Sequence, residues 1–347
     1  VKQNRVMRVL PRESEAINEC WLSDKDRFSY DGLNSEQRLA RPMLKRDGSW
    51  EEVEWQVALE HVARQLTRIR DQHGAAAFGA LATPHQTIEE LYLLGKLARA
   101  LGSGNVDFRL RCADFSADPH RAGAPWLGMK VAEIGALDRV LVVGSTLRKD
   151  HPLITHRLRQ AARRSLQVNL IHSADDDLLM PVAHKSIVAP AAMPDALAQV
   201  VKAAAEGKGG ALPRSVSDAI GGSAVPDSAR QIAASLTSGK SVAILLGNFA
   251  QHHPAAARLH ALALALAEVA GARFGFLGEA ANSVGGYVAG CVSLLSRFWR
   301  SWCSPMCSPR STRSLIRSPR RCSGVGQVER ESSAIRFRLT EFRRHCH

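Results

Sequence analysis

A short run of β-branched or aliphatic residues repeatedly gives way, through a small residue or a turn, to an amphipathic helical pattern, and this repetition limits the folds open to the chain. Arg139 to Val143 reads as a strand ending in Gly144-Ser145, followed by a helix that starts at Asp150-His151-Pro152 and runs through Leu158 to Ala162. Gln167 to Ile171 is the next strand, and Ser186 to Ala189 another, with a helix from Pro194. A helix over Ser228 to Leu236, a strand over Ser241 to Leu246 and a helix from Pro254 to Ala270 repeat the pattern. Alternation of buried strands with helices means parallel sheets covered on both faces. The expectation is α/β, a doubly wound parallel sheet with helices on either side.

Upstream, Trp55, Leu59, Val62, Leu66 and Ile69 recur at helical spacing before Gly74, a C-cap residue. Ala76 to Leu81 then reads as a buried strand, and Thr83-Pro84-His85-Gln86 as a capping box opening a helix through Ile88, Leu91, Gly95, Ala98 and Leu101. Arg5-Val6-Met7-Arg8-Val9-Leu10 alternates polar and apolar, as one strand of a β-hairpin would, and an irregular charged stretch follows to Gly48. These patterns divide the chain into a β-rich opening segment (1–48), an α/β domain (49–290) with a Gly, Ser and Pro-rich subdomain boundary near 207–226, and a tail (291–347).

Charge sets the tail apart. Of the formal net charge of +13, residues 291–347 contribute +9 from 12 Arg against three acids, which leaves an ordinary +4 for the rest. The tail also holds five of the seven Cys and three Ser-Pro pairs. It reads as disordered, or as the product of a shifted reading frame in a GC-rich gene. Nucleic-acid binding through the arginines is an alternative, with a steep salt dependence as its signature. No run of about 18 uncharged apolar residues occurs, so no membrane helix is expected. The opening Val1-Lys2-Gln3 has no initiator Met and no signal pattern, and reads as an interior piece of a longer protein. Cys20 and Cys112, alone in the first 290 residues, argue against a secreted disulfide framework and for a cytoplasmic setting.

Four features invite a chemical reading, and each has a plainer one. Val143-Gly144-Ser145-Thr146-Leu147-Arg148-Lys149-Asp150 places small residues and two cations between a strand end and a helix, where free amides suit a phosphate. It matches neither the dinucleotide fingerprint nor the P-loop, which favours a solvated turn or a protein contact. Leu246-Gly247-Asn248-Phe249-Ala250-Gln251-His252-His253-Pro254 has the same build, and its adjacent histidines point apart rather than toward one metal. Asp175-Asp176-Asp177 reads as a solvated turn for the same reason. Cys303, Cys307, His345 and His347 offer four soft ligands, but the pairs stand far apart in sequence without a folded pattern between them.

The words Arg5-Val6-Met7-Arg8-Val9-Leu10-Pro11-Arg12, Asn18-Glu19-Cys20-Trp21-Leu22-Ser23-Asp24-Lys25-Asp26-Arg27-Phe28-Ser29-Tyr30-Asp31-Gly32-Leu33 and Arg38-Leu39-Ala40-Arg41-Pro42-Met43 resemble the large iron-sulfur subunits of bacterial NADH:quinone oxidoreductase, respiratory complex I. The resemblance continues through Gly144 to Pro152 and Glu279-Ala280-Ala281-Asn282-Ser283-Val284-Gly285-Gly286-Tyr287 and covers roughly residues 1–290. It implies a lobed fold of molybdopterin-oxidoreductase type, with 2Fe-2S and 4Fe-4S clusters in sequence upstream of these residues and no cofactor, metal or catalytic residue within them. Relatives with an additional cluster carry a Cys at the position that is Ser23 here. The implied partners are other subunits of the complex I peripheral arm, with no nucleic acid. The implied location is the cytoplasmic side of the bacterial inner membrane, touched through the complex alone. Trp21, Arg27 and Arg41 would suit an interface, and a core position for the Trp is equally compatible. An active molybdopterin-dependent oxidoreductase is the alternative from another class, and requires a molybdenum ligand that the sequence does not display.

Overall fold

The structure is a computed structural model describing residues 2–111, 113–121, 123–209 and 224–293. Cys112, most of the 207–226 boundary, and Cys303, Cys307, His345 and His347 with the rest of the tail from 294 lie outside the described residues. In chain order the elements are α1 (Asp24–Phe28), β1 (Met43–Arg46), β2 (Ser49–Glu52), α2 (Trp55–His73), β3 (Ala80–Leu81), α3 (Ile88–Ala100) and β4 (Val106–Asp107). They continue with β5 (Arg139–Val143), α4 (Leu147–Asp150), α5 (Pro152–Ala162), β6 (Gln167–His172), β7 (His184–Ile187), α6 (Met193–Lys208), α7 (Asp227–Thr237), β8 (Val242–Leu246), α8 (Asn248–Gln251), α9 (Ala256–Ala270), β9 (Arg273–Phe276) and α10 (Ser283–Val288). Two compact units form, residues 2–30 with 110–288 and residues 31–109 with 289–293.

The larger unit is built on a five-stranded, wholly parallel sheet in the order β7-β6-β5-β8-β9. Its central strands are apolar at nearly every position because both faces are covered. Val140 and Val142 of β5, with Ala243 and Leu245 of β8, pack toward Ile134, Leu147, Leu158 and Ala161. Their neighbours Leu141, Val143, Ile244 and Leu246 face the other way, into α6, α7 and α9. Each such Leu, fully buried, contributes on the order of 2 kcal/mol. Polar side chains also enter this interior. Asn169 of β6 is fully buried, and its amide donates to the Val140 carbonyl (3.2 Å) and to Ser235 Oγ on α7 (3.1 Å), while its amide oxygen finds no partner. Ser235 in turn donates to Gln167 Oε1 at 2.9 Å.

The opening residues of this unit are fixed from α5 rather than by a strand partner. Arg157 donates to the carbonyls of Glu15 (2.7 Å) and Ile17 (3.1 Å) and pairs with Glu19, and the Trp21 ring lies 4.9 Å from His156. Arg5 to Leu10 forms no ladder beyond the Lys2–Arg5 bridge. A hairpin does stand in the smaller unit, β1 with β2, its first strand and turn in the stretch expected to be irregular and its second strand beyond Gly48. Asp47-Gly48 makes its two-residue turn with both residues at positive φ, which is the geometry Asp-Gly favours.

Two further expectations shift. Only Ala80–Leu81 of the run 76–81 is strand, paired in parallel with β4, because Ala75–Ala77 tightens into a 3-10 turn after α2. The capping box sits at Thr87, not Thr83. Thr87 and Glu90 satisfy each other's backbone amides, a reciprocity Thr83 and Gln86 do not complete. The α2 boundaries, with Gly74 as C-cap, agree with the periodicity. Near the end of the described residues, burial pushes the Cys291 thiol up to about 11, with Asp107 adding and Arg99 opposing, so it is an unreactive thiol.

On the sheet's edge, His260 of α9 stacks on Phe274 (5.3 Å) and meets Phe276 edge-on (5.1 Å). Burial, then the nearby Arg121 cation, lower its pKa to about 4, with Asp118 opposing. The folded state therefore holds His260 neutral, while the unfolded chain protonates it below about 6.5. Stability from urea unfolding should fall as pH drops from 6.5 toward 4, and His260→Phe should flatten that slope. An unchanged slope would refute the assignment.

Candidate functional site

The chain leaves β5 toward β6 on one side and returns to β8 on the other, so the C-terminal ends of β5 and β8 flank a crevice at the reversal of strand order. The two turns singled out in the sequence meet there. A cavity of about 860 Å³ is lined by Arg111, Thr146, Asp150, Asn248, Phe249, His252, His253 and Glu279, with Pro190, Ala191 and Pro254. That size would admit a nucleotide-like molecule.

Several of the amides that would greet an anion are engaged by the chain itself. Phe249 N and Ala250 N both donate to the Gly144 carbonyl (2.9 and 3.3 Å), Gly247 N donates to Val143 O (2.8 Å), and Thr146 N donates to the Asp150 carboxylate (3.3 Å). Arg148 turns away to the Asp177 carbonyl at 2.7 Å. The glycines serve the same contact. Gly144 has φ +62°, and a Cβ there would sit 2.6 Å from Ala250 N; a Cβ on Gly247 would run into the Gly144 oxygen and the Ser145 side chain. Turn packs on turn where a phosphate cradle would need open amides.

The ionisable groups are likewise committed. Glu279 meets His252 Nε2 (3.2 Å) and Arg111 Nε (3.2 Å). The His252 hydrogen bond, then Arg111, hold its carboxyl below the ordinary value against the effect of burial. His253 Nε2–H donates to the Pro190 carbonyl (3.0 Å), and its Nδ1 accepts from Ala255 N (2.9 Å), so neither nitrogen is free for a metal. His151, buried behind the turn, donates from Nε2 to Gly278 O (2.9 Å) and accepts the Ser145 hydroxyl at Nδ1 (3.1 Å). That assignment follows because a carbonyl can only accept. The Ser145–His151 pair has a carbonyl where a hydrolase would place a carboxylate, and it stands behind the cavity wall. Two groups keep unpartnered buried atoms, Asn248 Oδ1 beside the cavity and His172 Nδ1 at the end of β6. His172 is held toward its neutral form by burial, with Asp176 and Asp150 opposing.

Elsewhere the candidate ligands stand apart. Asp175 pairs with Lys185 (2.7 Å), Asp177 accepts from Leu179 N, and Asp176 lies toward His172, so the three carboxylates diverge. Cys20 is exposed, and Ser23 is the N-cap of α1, accepting from Asp26 N (3.2 Å) and donating to the Asp26 carboxylate (2.5 Å). Among the described residues no three His, Cys, Asp or Glu side chains gather as a metal site. The residue pattern gave no sign of His151, Arg111 or the His252–Glu279 pair. Their partners lie 127, 168 and 27 positions away, beyond any local pattern.

A parallel sheet wound in both directions, with a crevice at the strand ends, defines a doubly wound α/β lobe. A family model described as molybdopterin oxidoreductase matches residues 38–305, and the chain belongs to that family. A second, the 4Fe-4S domain of NADH-ubiquinone oxidoreductase NDSU1/NuoG-like proteins, matches residues 1–31. The G subunit of NADH-quinone oxidoreductase from Rickettsia felis is 35% identical over 160 residues, 46% of this chain and 23% of the relative. A putative formate dehydrogenase of Staphylococcus aureus is 29% identical over 169 residues, 47% of this chain and 17% of that protein. The matched part thus spans less than a quarter of these relatives' length. The solved structure of acetylene hydratase from Pelobacter acetylenicus is similar in fold, with a TM-score of 0.56 at 14% identity over 77% of this chain and 39% of that one.

Tested against these groups, the described residues do not fit. A 4Fe-4S centre takes about four thiolates, and residues 1–31 contain one Cys, with the Ser23 hydroxyl occupied as a helix cap. The crevice offers no Cys to molybdenum, and its turn glycines are filled by the chain.

Gly247→Ala should lower stability by about 2–3 kcal/mol in urea unfolding, because Ser145 and the Gly144 carbonyl occupy the added methyl's place. His253→Ala should cost about 1–3 kcal/mol through its two orphaned partners. Added Zn²⁺ or Ni²⁺ should leave the wild-type Tm unchanged, and a metal-dependent rise would reinstate the His pair as ligands.

Proposed function

We propose that this chain is the molybdopterin-oxidoreductase-like scaffold of a NuoG-like subunit of NADH:quinone oxidoreductase, contributing shape and docking surface while the electron carriers lie outside it. The carrying observation is the donor set. Residues that match a 4Fe-4S domain hold a single thiol, and Ser23, where the resemblance implies a Cys in cluster-bearing relatives, is committed to capping α1. Docking is supported by the same stretch, where Met7, Leu10, Ile17, Trp21 and Phe28 all stand exposed on a segment pinned down by Arg157. Such a run of large apolar side chains is costly to leave in water and suits a protein partner. The partners are then neighbouring subunits of the peripheral arm, on the cytoplasmic side of a bacterial inner membrane. No helix among the described residues is long and apolar enough to cross a membrane.

Purified anaerobically, the full 347-residue protein should show no stoichiometric iron and no cluster signal in electron paramagnetic resonance after dithionite reduction. Metal analysis should likewise find neither molybdenum nor tungsten. A stoichiometric iron-sulfur signal would overturn the scaffold reading, and bound molybdenum with pterin would establish the oxidoreductase alternative.

A further inference from the structure

Beyond β9 three consecutive residues are each held by a side chain from another loop. Gln251 donates to the Leu277 carbonyl (2.7 Å) and also to Leu246 O (3.1 Å). His151 donates to the Gly278 carbonyl, and the Glu279 carboxylate takes His252 and Arg111. The holders come from the turns after β5 and β8 and from the segment leading into β5. Leu277 is buried and bonded through its N–H to Leu246 O, an anchor at one end. Gly278 is unobstructed, since a Cβ there would touch nothing within 4 Å. Glu279, Arg111 and His252 all line the cavity, so part of its wall is closed by the Arg111–Glu279 ion pair and the His252–Glu279 contact rather than by apolar packing.

We propose that Leu277–Glu279 is a latch on the crevice wall, closed by Gln251, His151 and the Arg111–Glu279–His252 pairs and released when Glu279 loses its charge. The latch does not depend on the complex I reading. Glu279 is its keystone because two donors from separate loops converge on it. A neutral side chain keeps at most weakened hydrogen bonds there and no ionic attraction. Acid acts in the same direction through Glu279. Glu279 is kept ionised by His252 and Arg111, so the closed form loses stability as pH falls below the ordinary 4.5 toward its depressed value.

The test is hydrogen exchange with mass spectrometry on the full-length protein at about pH 7.5, wild type against Glu279→Gln, following peptides over 277–283 and over β5. In the variant the 277–283 amides should exchange at least about tenfold faster while β5 is unchanged. A Thr146→Cys reporter on the cavity wall, read by site-resolved maleimide labelling, should react at least about tenfold faster in the Glu279→Gln background. Equal exchange in the two proteins, acceleration only together with β5, or an unchanged Thr146→Cys rate would each overturn the latch.

Discussion

The carbonyl of Gly144 is the joint on which the larger unit depends. It accepts from the first amides of the turn after β8, and Gly247 comes close enough to make this possible because it has no side chain. The contact joins the two directions of winding across the reversal of strand order. It also determines the chemistry left over. Several backbone donors that an open α/β lobe could present to a charged ligand are consumed in holding the lobe together, and Glu279 is paired with His252 and Arg111. What remains is a cavity whose charged side chains include several already committed to neighbours.

Much of this architecture could be read from residue pattern, for a local reason. β5 and β8 are apolar at nearly every position, which fits only strands covered twice, and the helices between them carry the expected stripe. α2 and its glycine stop are equally local. The misplacements come from competing local signals of similar strength. Thr83 and Thr87 both look like caps, and the Glu at the third position decides for Thr87. Asp47-Gly48 was a hairpin signal hidden among charges. The contacts that shape the crevice were not legible, because Arg157 on the opening segment, His151 on Gly278 and Arg111 on Glu279 each join residues more than a hundred positions apart. A lone His or Arg carries no mark of such a partner.

Family membership and the donor set point in different directions, and that separation is informative. The fold is that of molybdopterin oxidoreductases, yet activity resides in particular side chains and their geometry rather than in sheet order. Ser23 shows it at one position: its hydroxyl is turned inward to cap a five-residue helix. A lobe that loses its ligands can keep its packing, since Leu141 or Ile244 are constrained by neighbouring helices and not by any cofactor.

Asn169 has a consequence of its own. Its amide is placed to reach both Val140 on the adjoining strand and Ser235 on the covering helix, in the middle of an otherwise greasy sandwich. Sliding β6 by one residue against β5 would turn that amide to the opposite layer and strand it without either partner. Apolar neighbours alone tolerate such misalignment far better, because one aliphatic contact replaces another. The single amide therefore works as an indexing pin: it adds little cohesion, and it makes neighbouring alignments of the central strands unequal in energy.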